Sequence, residues 1–196
     1  MQKTLLLSTA FAAALCITGA SADTTVPAGQ FHSVTIEGMG HVTFVRGAQQ
    51  RVVLKQGDTT NTQIYVKDGE LVLKSCPGKG LFGWSNSCPM DYDLQVEITT
   101  PGLAGVEIDG SGKFDTAGPF PQQPKLAIEI NGSGNVDLSG MPAASSDVAI
   151  HGSGKVYTTA REKLDVEIAG SGTVIYGGAP HISQTIMGSG VVKSAK

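Results

Sequence analysis

The sequence predicts an all-β fold, a parallel β-helix (β-solenoid) with a β-hairpin-rich N-terminal part. Three observations carry that expectation. Five segments fall into register on the tripeptide Gly-Ser-Gly. Glycine makes up 26 of 196 residues, about double the usual share. Around each tripeptide, apolar and polar residues alternate with the period of a half-buried strand.

The five copies are Val106–Phe114, Ile128–Val136, Val148–Val156, Val166–Val174 and Gln184–Val192, and their first glycines are separated by 22, 20, 18 and 18 residues. A sixth, degenerate copy lies upstream at Val34–Val42, where Met39 replaces the serine. Isoleucine stands two residues before the first glycine in all six, at Ile36, Ile108, Ile130, Ile150, Ile168 and Ile186. A bulky apolar residue stands two after the second glycine, at Val42, Phe114, Val136, Val156, Val174 and Val192. The glycines and the β-branched bias exclude a helix. A repeat of this length cannot bury its apolar face alone, so the copies must stack, each about 4.8 Å from the next. The expected result is one ladder of isoleucines and another of the Val/Phe set. The pairs Gly110 and Gly112, Gly132 and Gly134, Gly152 and Gly154, Gly170 and Gly172, and Gly188 and Gly190 are read as structural turns, because glycine bends where a Cβ resists.

Upstream, Gln63 to Lys67 and Glu70 to Lys74 alternate around Asp68-Gly69, a strong hairpin signal. Tyr92 to Thr99 reads as a further strand closed by Pro101. One domain over 23–196 is expected, with an N-terminal β region at 23–102 and the Gly-Ser-Gly rungs at 103–196.

Residues 1–22 read as a signal peptide: Lys3 supplies positive charge, Leu5 to Ile17 an apolar stretch, and Ala20-Ser21-Ala22 a small-residue cleavage site before Asp23. The stretch falls short of the roughly 20 apolar residues of a membrane span. Leu15 before Cys16 argues against lipid attachment, so Cys16 leaves with the leader. The expected location is periplasmic or extracellular, with no transmembrane segment in the mature chain. Removing Lys3 with the leader leaves 13 basic against 17 acidic residues, a charge of −4. No basic stripe exists, which excludes nucleic acid as a partner.

Cys76 and Cys88 remain as an even pair, and in an oxidising compartment they are read as a disulfide. It would contribute about 2–3 kcal/mol by restricting the unfolded chain. A Cys₂ metal site fits poorly, since the spacing is wrong and no nearby histidine completes it.

A signal peptide, a β-rich first half and repeated Ile-x-Gly-Ser-Gly-x-Val rungs together resemble a bacterial family, the putative auto-transporter adhesin, head GIN domain. The resemblance covers nearly the whole mature chain. It implies a right-handed β-helix reminiscent of pectin lyases, no established catalytic residues, and a role in adhesion at the cell envelope. The Met39 substitution and the Cys76–Cys88 loop depart from the family pattern.

Each chemical motif has a plainer reading. Gly-Ser-Gly-Lys at Gly110–Lys113 and Gly152–Lys155 lacks the spacing and the following helix of a phosphate loop. Asp115 and Asp137 recur in two rungs only, so no calcium cage is expected. Glu107, Glu129 and Glu167 alternate with core isoleucines and point outward. In-register Glu107 and Glu129 approach the carboxylate spacing of a retaining glycosidase, as any such ladder would. His32, His41, His151 and His181 form no metal cluster. No catalytic, cofactor or metal residue is assigned. Leu81, Phe82 and Trp84, on the glycine-rich loop between the cysteines, form either a binding loop or a plug over one end of the stack. The chain stops six residues after Gly190, and the edge left there predicts homo-oligomers.

The function expected from these features is a non-enzymatic cell-envelope or surface protein. It would be an adhesion or binding scaffold for an unidentified envelope, protein or glycan partner, with no cofactor. The alternative is a polysaccharide lyase or hydrolase acting on acidic glycans.

Overall fold

A computed structural model describes residues 23–76 and 92–195. The expected signal peptide, the loop residues Leu81, Phe82 and Trp84, and Cys88 lie outside the described residues.

Among the described residues, sixteen strands follow in order. The first part holds β1 (Thr24–Val26), β2 (Ser33–Gly38), β3 (His41–Arg46), β4 (Arg51–Gln56), β5 (Thr62–Lys67), β6 (Glu70–Ser75) and β7 (Gln95–Thr100). The repeats supply β8 (Gly105–Gly110), β9 (Lys113–Ala117), β10 (Gln123–Gly132), β11 (Asn135–Asp137) and β12 (Ala143–Gly152). They continue with β13 (Lys155–Gly170), β14 (Thr173–Gly177), β15 (His181–Gly188) and β16 (Val191–Ser194).

The isoleucines stack in parallel register: Leu73, Ile36, Ile108, Ile130, Ile150, Ile168 and Ile186 pair in turn across β6, β2, β8, β10, β12, β13 and β15. The five from Ile36 to Ile168 are fully buried. Burial of this kind is worth about 1.5–3 kcal/mol per side chain. The Val96, Val42, Phe114, Val136, Val156, Val174 and Val192 ladder faces them from the other half of the sheet. Phe44 and Phe114 stack within that core, with ring centroids 5.5 Å apart. Among the described residues no buried side-chain polar atom lacks a partner.

The two glycines of each corner do different work. The first takes a positive φ, from 125° to 134° in the five full copies. The second lies on the isoleucine of the preceding rung. A Cβ at Gly134 would come within 2.8 Å of the Ile108 side chain. Hydrogen bonding runs around the corner without interruption, as in Ser133 N–H to Gly110 O at 2.9 Å and Asn135 N–H to Gly112 O at 3.0 Å. The serine between the glycines is exposed.

The expected right-handed parallel β-helix is corrected by the strand pairing. All strands join one sheet of mixed orientation, which runs β1-β4-β7-β3-β9-β11-β13-β12-β10-β8-β2-β6-β5 with β14, β15 and β16 attached beyond β13. The ladders β1 with β4, β4 with β7, and β5 with β6 are antiparallel. The sixteen-residue β13 belongs to both halves. The path therefore folds back on itself, and its two ends come together across a gap lined by Val26, Leu54, Thr62 and Ile64. The architecture is an all-β, nearly closed barrel. Its physical cause lies upstream, where the Asp68-Gly69 turn (φ 53° and 79°) reverses the chain and flips β5 against β6.

Candidate functional site

The outward positions of β6, β2, β8, β10, β12, β13 and β15 alternate with the isoleucine column, so register sets them in rows. The central row runs Thr35, Glu107, Glu129, Ala149, Glu167, Thr185. The row on one side contains Glu70, Ser33, Gly105, Ala127, Asp147, Asp165 and Ser183. The row on the other side contains Lys74, Glu37, Asp109, Asn131, His151, Ala169 and Met187.

Small residues in these rows leave a shallow depression of about 590 Å³. Gly105, Ala127 and Ala149 form its floor, and Glu70, Glu107, Glu129, Asp147, Asp165 and Glu167 stand around it. The cations are marginal and engaged: Lys125 pairs with Asp147 at 2.5 Å, Lys163 with Asp165, and Lys74 with Glu37. Glu107, Glu129 and Glu167 form no ion pair among the described residues. Thr35 donates to Glu70, while Asn131 Nδ2 donates to Asp109 Oδ1 at 2.9 Å and to Glu129 Oε1 at 3.2 Å. Partial burial raises the Glu107 carboxyl above its ordinary value, and the neighbouring charges of Glu129, Asp109, Glu70 and Glu37 add to the rise. Like charges stacked one strand apart must behave this way, whatever their use.

The opposite face, on β3, β9, β11, β13 and β14, is mixed in charge. His41 Nε2 and Lys113 Nζ contact Asp115 Oδ2 at 2.6 and 3.0 Å. Burial pushes the Asp115 carboxyl up, but hydrogen bonds from His41, Lys113 and Thr43 outweigh it and hold the group below its ordinary value. Lys155 lies over the Tyr157 ring, 4.7 Å from its centroid. Among the described residues no group of three or more His, Cys, Asp or Glu is arranged to hold a metal ion.

The glycines from Gly110 to Gly190 sit at the corners, away from the depression. Cys76 follows β6 with φ 54°, and its N–H donates to Asn61 O at 2.7 Å. Leu81, Phe82, Trp84 and Cys88 are outside the described residues. Glu107, Glu129 and Glu167, read from sequence as outward-facing, do share one row. Asp147 and Asp165 stand at a shared offset of five before the first glycine, and Glu70 joins them through its pairing with Ser33.

The family described as putative auto-transporter adhesin, head GIN domain matches residues 30–139 and 122–180. The chain belongs to this family. Its name fits a surface binding protein. Among solved structures, the chain resembles a putative adhesin from Bacteroides fragilis NCTC 9343 at 18% identity, with 89% of this chain and 96% of that one covered and a TM-score of 0.50. At that identity the likeness shows the fold alone. A putative adhesin from Parabacteroides merdae ATCC 43184 is 14% identical over 89% of this chain and 96% of that one, with a TM-score of 0.40. A putative lipid binding protein from Parabacteroides distasonis ATCC 8503 is 16% identical over the same shares, with a TM-score of 0.38. No curated protein matches this chain. No helix among the described residues is long and apolar enough to cross a membrane.

Proposed function

We propose that this family member is a non-enzymatic, exported envelope or surface protein that binds its partner through the acidic face. The observation that carries this reading is the in-register row Glu107, Glu129 and Glu167, flanked by Glu70, Asp109, Asp147 and Asp165 on a rigid ladder. Repeated charges at fixed spacing suit polyvalent contact, in which affinity grows by repetition rather than from one deep pocket. The partner chemistry that fits is a basic protein surface. An acidic polysaccharide is repelled by the same carboxylates, which weighs against the lyase or hydrolase alternative.

The test is retention on polylysine-coated beads, compared between the parent chain and Glu107→Gln/Glu129→Gln/Glu167→Gln. The control Glu97→Gln/Asp137→Asn removes two negative charges from the opposite face. Retention that falls with added salt and is lost in the triple variant but kept in the control supports the reading. Equal loss in both sinks it. Release of unsaturated products from polygalacturonate and calcium would overturn the non-enzymatic assignment.

Self-association through the last rung belongs to the same proposal. β15 and β16 are each paired on one side only among the described residues. Ile186, Met187 and Val191 are 37%, 56% and 47% exposed there. Such an edge is a template for a second copy. A mass twice that of the chain in light scattering supports it, and a strict monomer at high concentration rejects it.

A further inference from the structure

We infer that a second cleft, on the corner beside the acidic face, is a binding site for a neutral saccharide. Three connections, 27–32, 47–50 and 101–104, converge there with 118–125, which joins the connection after β9 to the first residues of β10. They line an open surface cleft of about 950 Å³, a volume within the range of small-ligand sites, roughly 300–1,000 Å³. The cleft does not continue along the stack, because β13 crosses the same corner as an unbroken strand.

The lining is unusual in chemistry. Gln30, Gln49, Gln50, Gln122 and Gln123 all face the cleft, with Pro101, Pro121 and Pro124 between them, and no carboxylate contributes. The one lysine, Lys125, is held by Asp147. His32, the other ionisable group of the lining, has its Nδ1 against the Gly69 carbonyl, so a charged ligand finds no carboxylate and no unpaired ammonium group here. An amide presents a donor and an acceptor side by side, which matches adjacent hydroxyls on a pyranose ring, and the proline rings offer apolar surface to its C–H face.

Two of the five glutamines hold the walls. Gln50 Oε1 accepts from Phe31 N–H at 3.1 Å while its Nε2 donates to Phe31 O at 2.6 Å, clamping that backbone at both ends. Gln123 Nε2 donates to Pro121 O at 2.8 Å. Its amide lies directly over Gly102, where a Cβ would come within 2.7 Å of the Gln123 side-chain carbonyl carbon and closer still to the oxygen. The other three, Gln30, Gln49 and Gln122, are exposed and make no hydrogen bond among the described residues. The site thus has fixed walls and free amides at its mouth.

The cleft meets the acidic face only through the Lys125–Asp147 pair, and the experiment separates the two. A printed array of neutral and acidic glycans is probed with the mature protein, and the strongest neutral binder is titrated by calorimetry. Neutral glycans are expected to be retained, with affinity falling at least about tenfold in Gln49→Ala/Gln122→Ala and unchanged in Glu107→Gln. Both glutamines are exposed, and an unchanged thermal melt verifies the fold. Retention of acidic glycans alone, retention of none, or neutral binding that survives Gln49→Ala/Gln122→Ala overturns the site. Binding of a proline-rich peptide at this cleft in place of glycans overturns it as well.

Discussion

Gly132 lies so close over Gly110 that a Cβ on it would meet the Gly110 carbonyl carbon at 3.1 Å and the oxygen closer still. With φ at 133° the position is also strained for any L side chain. Both obstacles are backbone, so neither relaxes by a rotamer change. Gly132→Ala is expected to destabilise by about 2–4 kcal/mol, lowering Tm by about 5–15 °C. Ser133→Ala, one residue on and exposed, should move Tm by no more than about 2 °C. Calorimetry of the pair checks the contrast.

The isoleucine column predicts a gradient along its length. Ile130 is fully buried in mid-stack, whereas Ile186 on the last rung is 37% exposed. Ile130→Ala should cost about 2–5 kcal/mol through lost contacts and a cavity. Ile186→Ala should cost under about 1 kcal/mol, since less surface leaves water in the first place. Equal losses in urea denaturation would show that the column is not the stabilising element.

Glu107 makes the acidic face sensitive to pH. Burial first, then its acidic neighbours, raise its carboxyl above the ordinary 4.5. Between those two values the folded protein keeps a proton that the unfolded chain releases. Stability therefore falls as pH rises through this window, and the loss is complete above it. Glu107→Gln should raise Tm at pH 7 by on the order of 1 °C and leave it unchanged at pH 4. A gain that is the same at both values would place its cause elsewhere.

Asp115 works in the opposite sense. Burial alone would raise it, but hydrogen bonds from His41, Lys113 and Thr43 bring it below the ordinary 3.8. Its contribution is present above 3.8 and is lost as pH falls from there through the depressed folded value. Asp115→Asn should lower stability at pH 6 and flatten the acid limb of the Tm-against-pH curve below pH 4. An unaltered acid limb contradicts the assignment.

For the cysteines, titration of unfolded, unreduced residues 23–196 with a thiol reagent should find no free thiol. Reduction should lower stability by about 2–3 kcal/mol. Two titratable thiols in freshly purified protein would reject the Cys76–Cys88 pairing.

Much of the repeat was legible because its signal is local and redundant. Six isoleucines at a constant offset from glycine specify which side chain enters the core, and the observed register from Ile36 to Ile186 follows that offset. Upstream, strand direction was legible only at the Asp68-Gly69 hairpin, where β5 runs antiparallel to β6. Val52, Leu54 and Ile98 alternate equally well in either orientation, and the antiparallel choice of β4 on β7 depends on chain reversal and partner availability. The acidic face was half visible: Glu107, Glu129 and Glu167 stand three residues before the first glycine of their copies, while Asp147 and Asp165, five before theirs, share an offset that only two copies fill with an acid. The amide cleft escaped notice because its glutamines come from separate connections. The only local hint was the doubled Gln-Gln at 49–50 and 122–123.

β13 crosses the corner at Ala160 as continuous, hydrogen-bonded strand, with ladders to β11, β12, β14 and β15. A protease finds no slack chain to enter there, and new termini opened between Thr159 and Arg161 would cut through the one segment shared by both halves of the barrel. Circular permutants should tolerate ends in the 118–122 connection and fail at 160. One corner of the stack is therefore jointed at 118–122 and spliced two rungs further on, at Ala160.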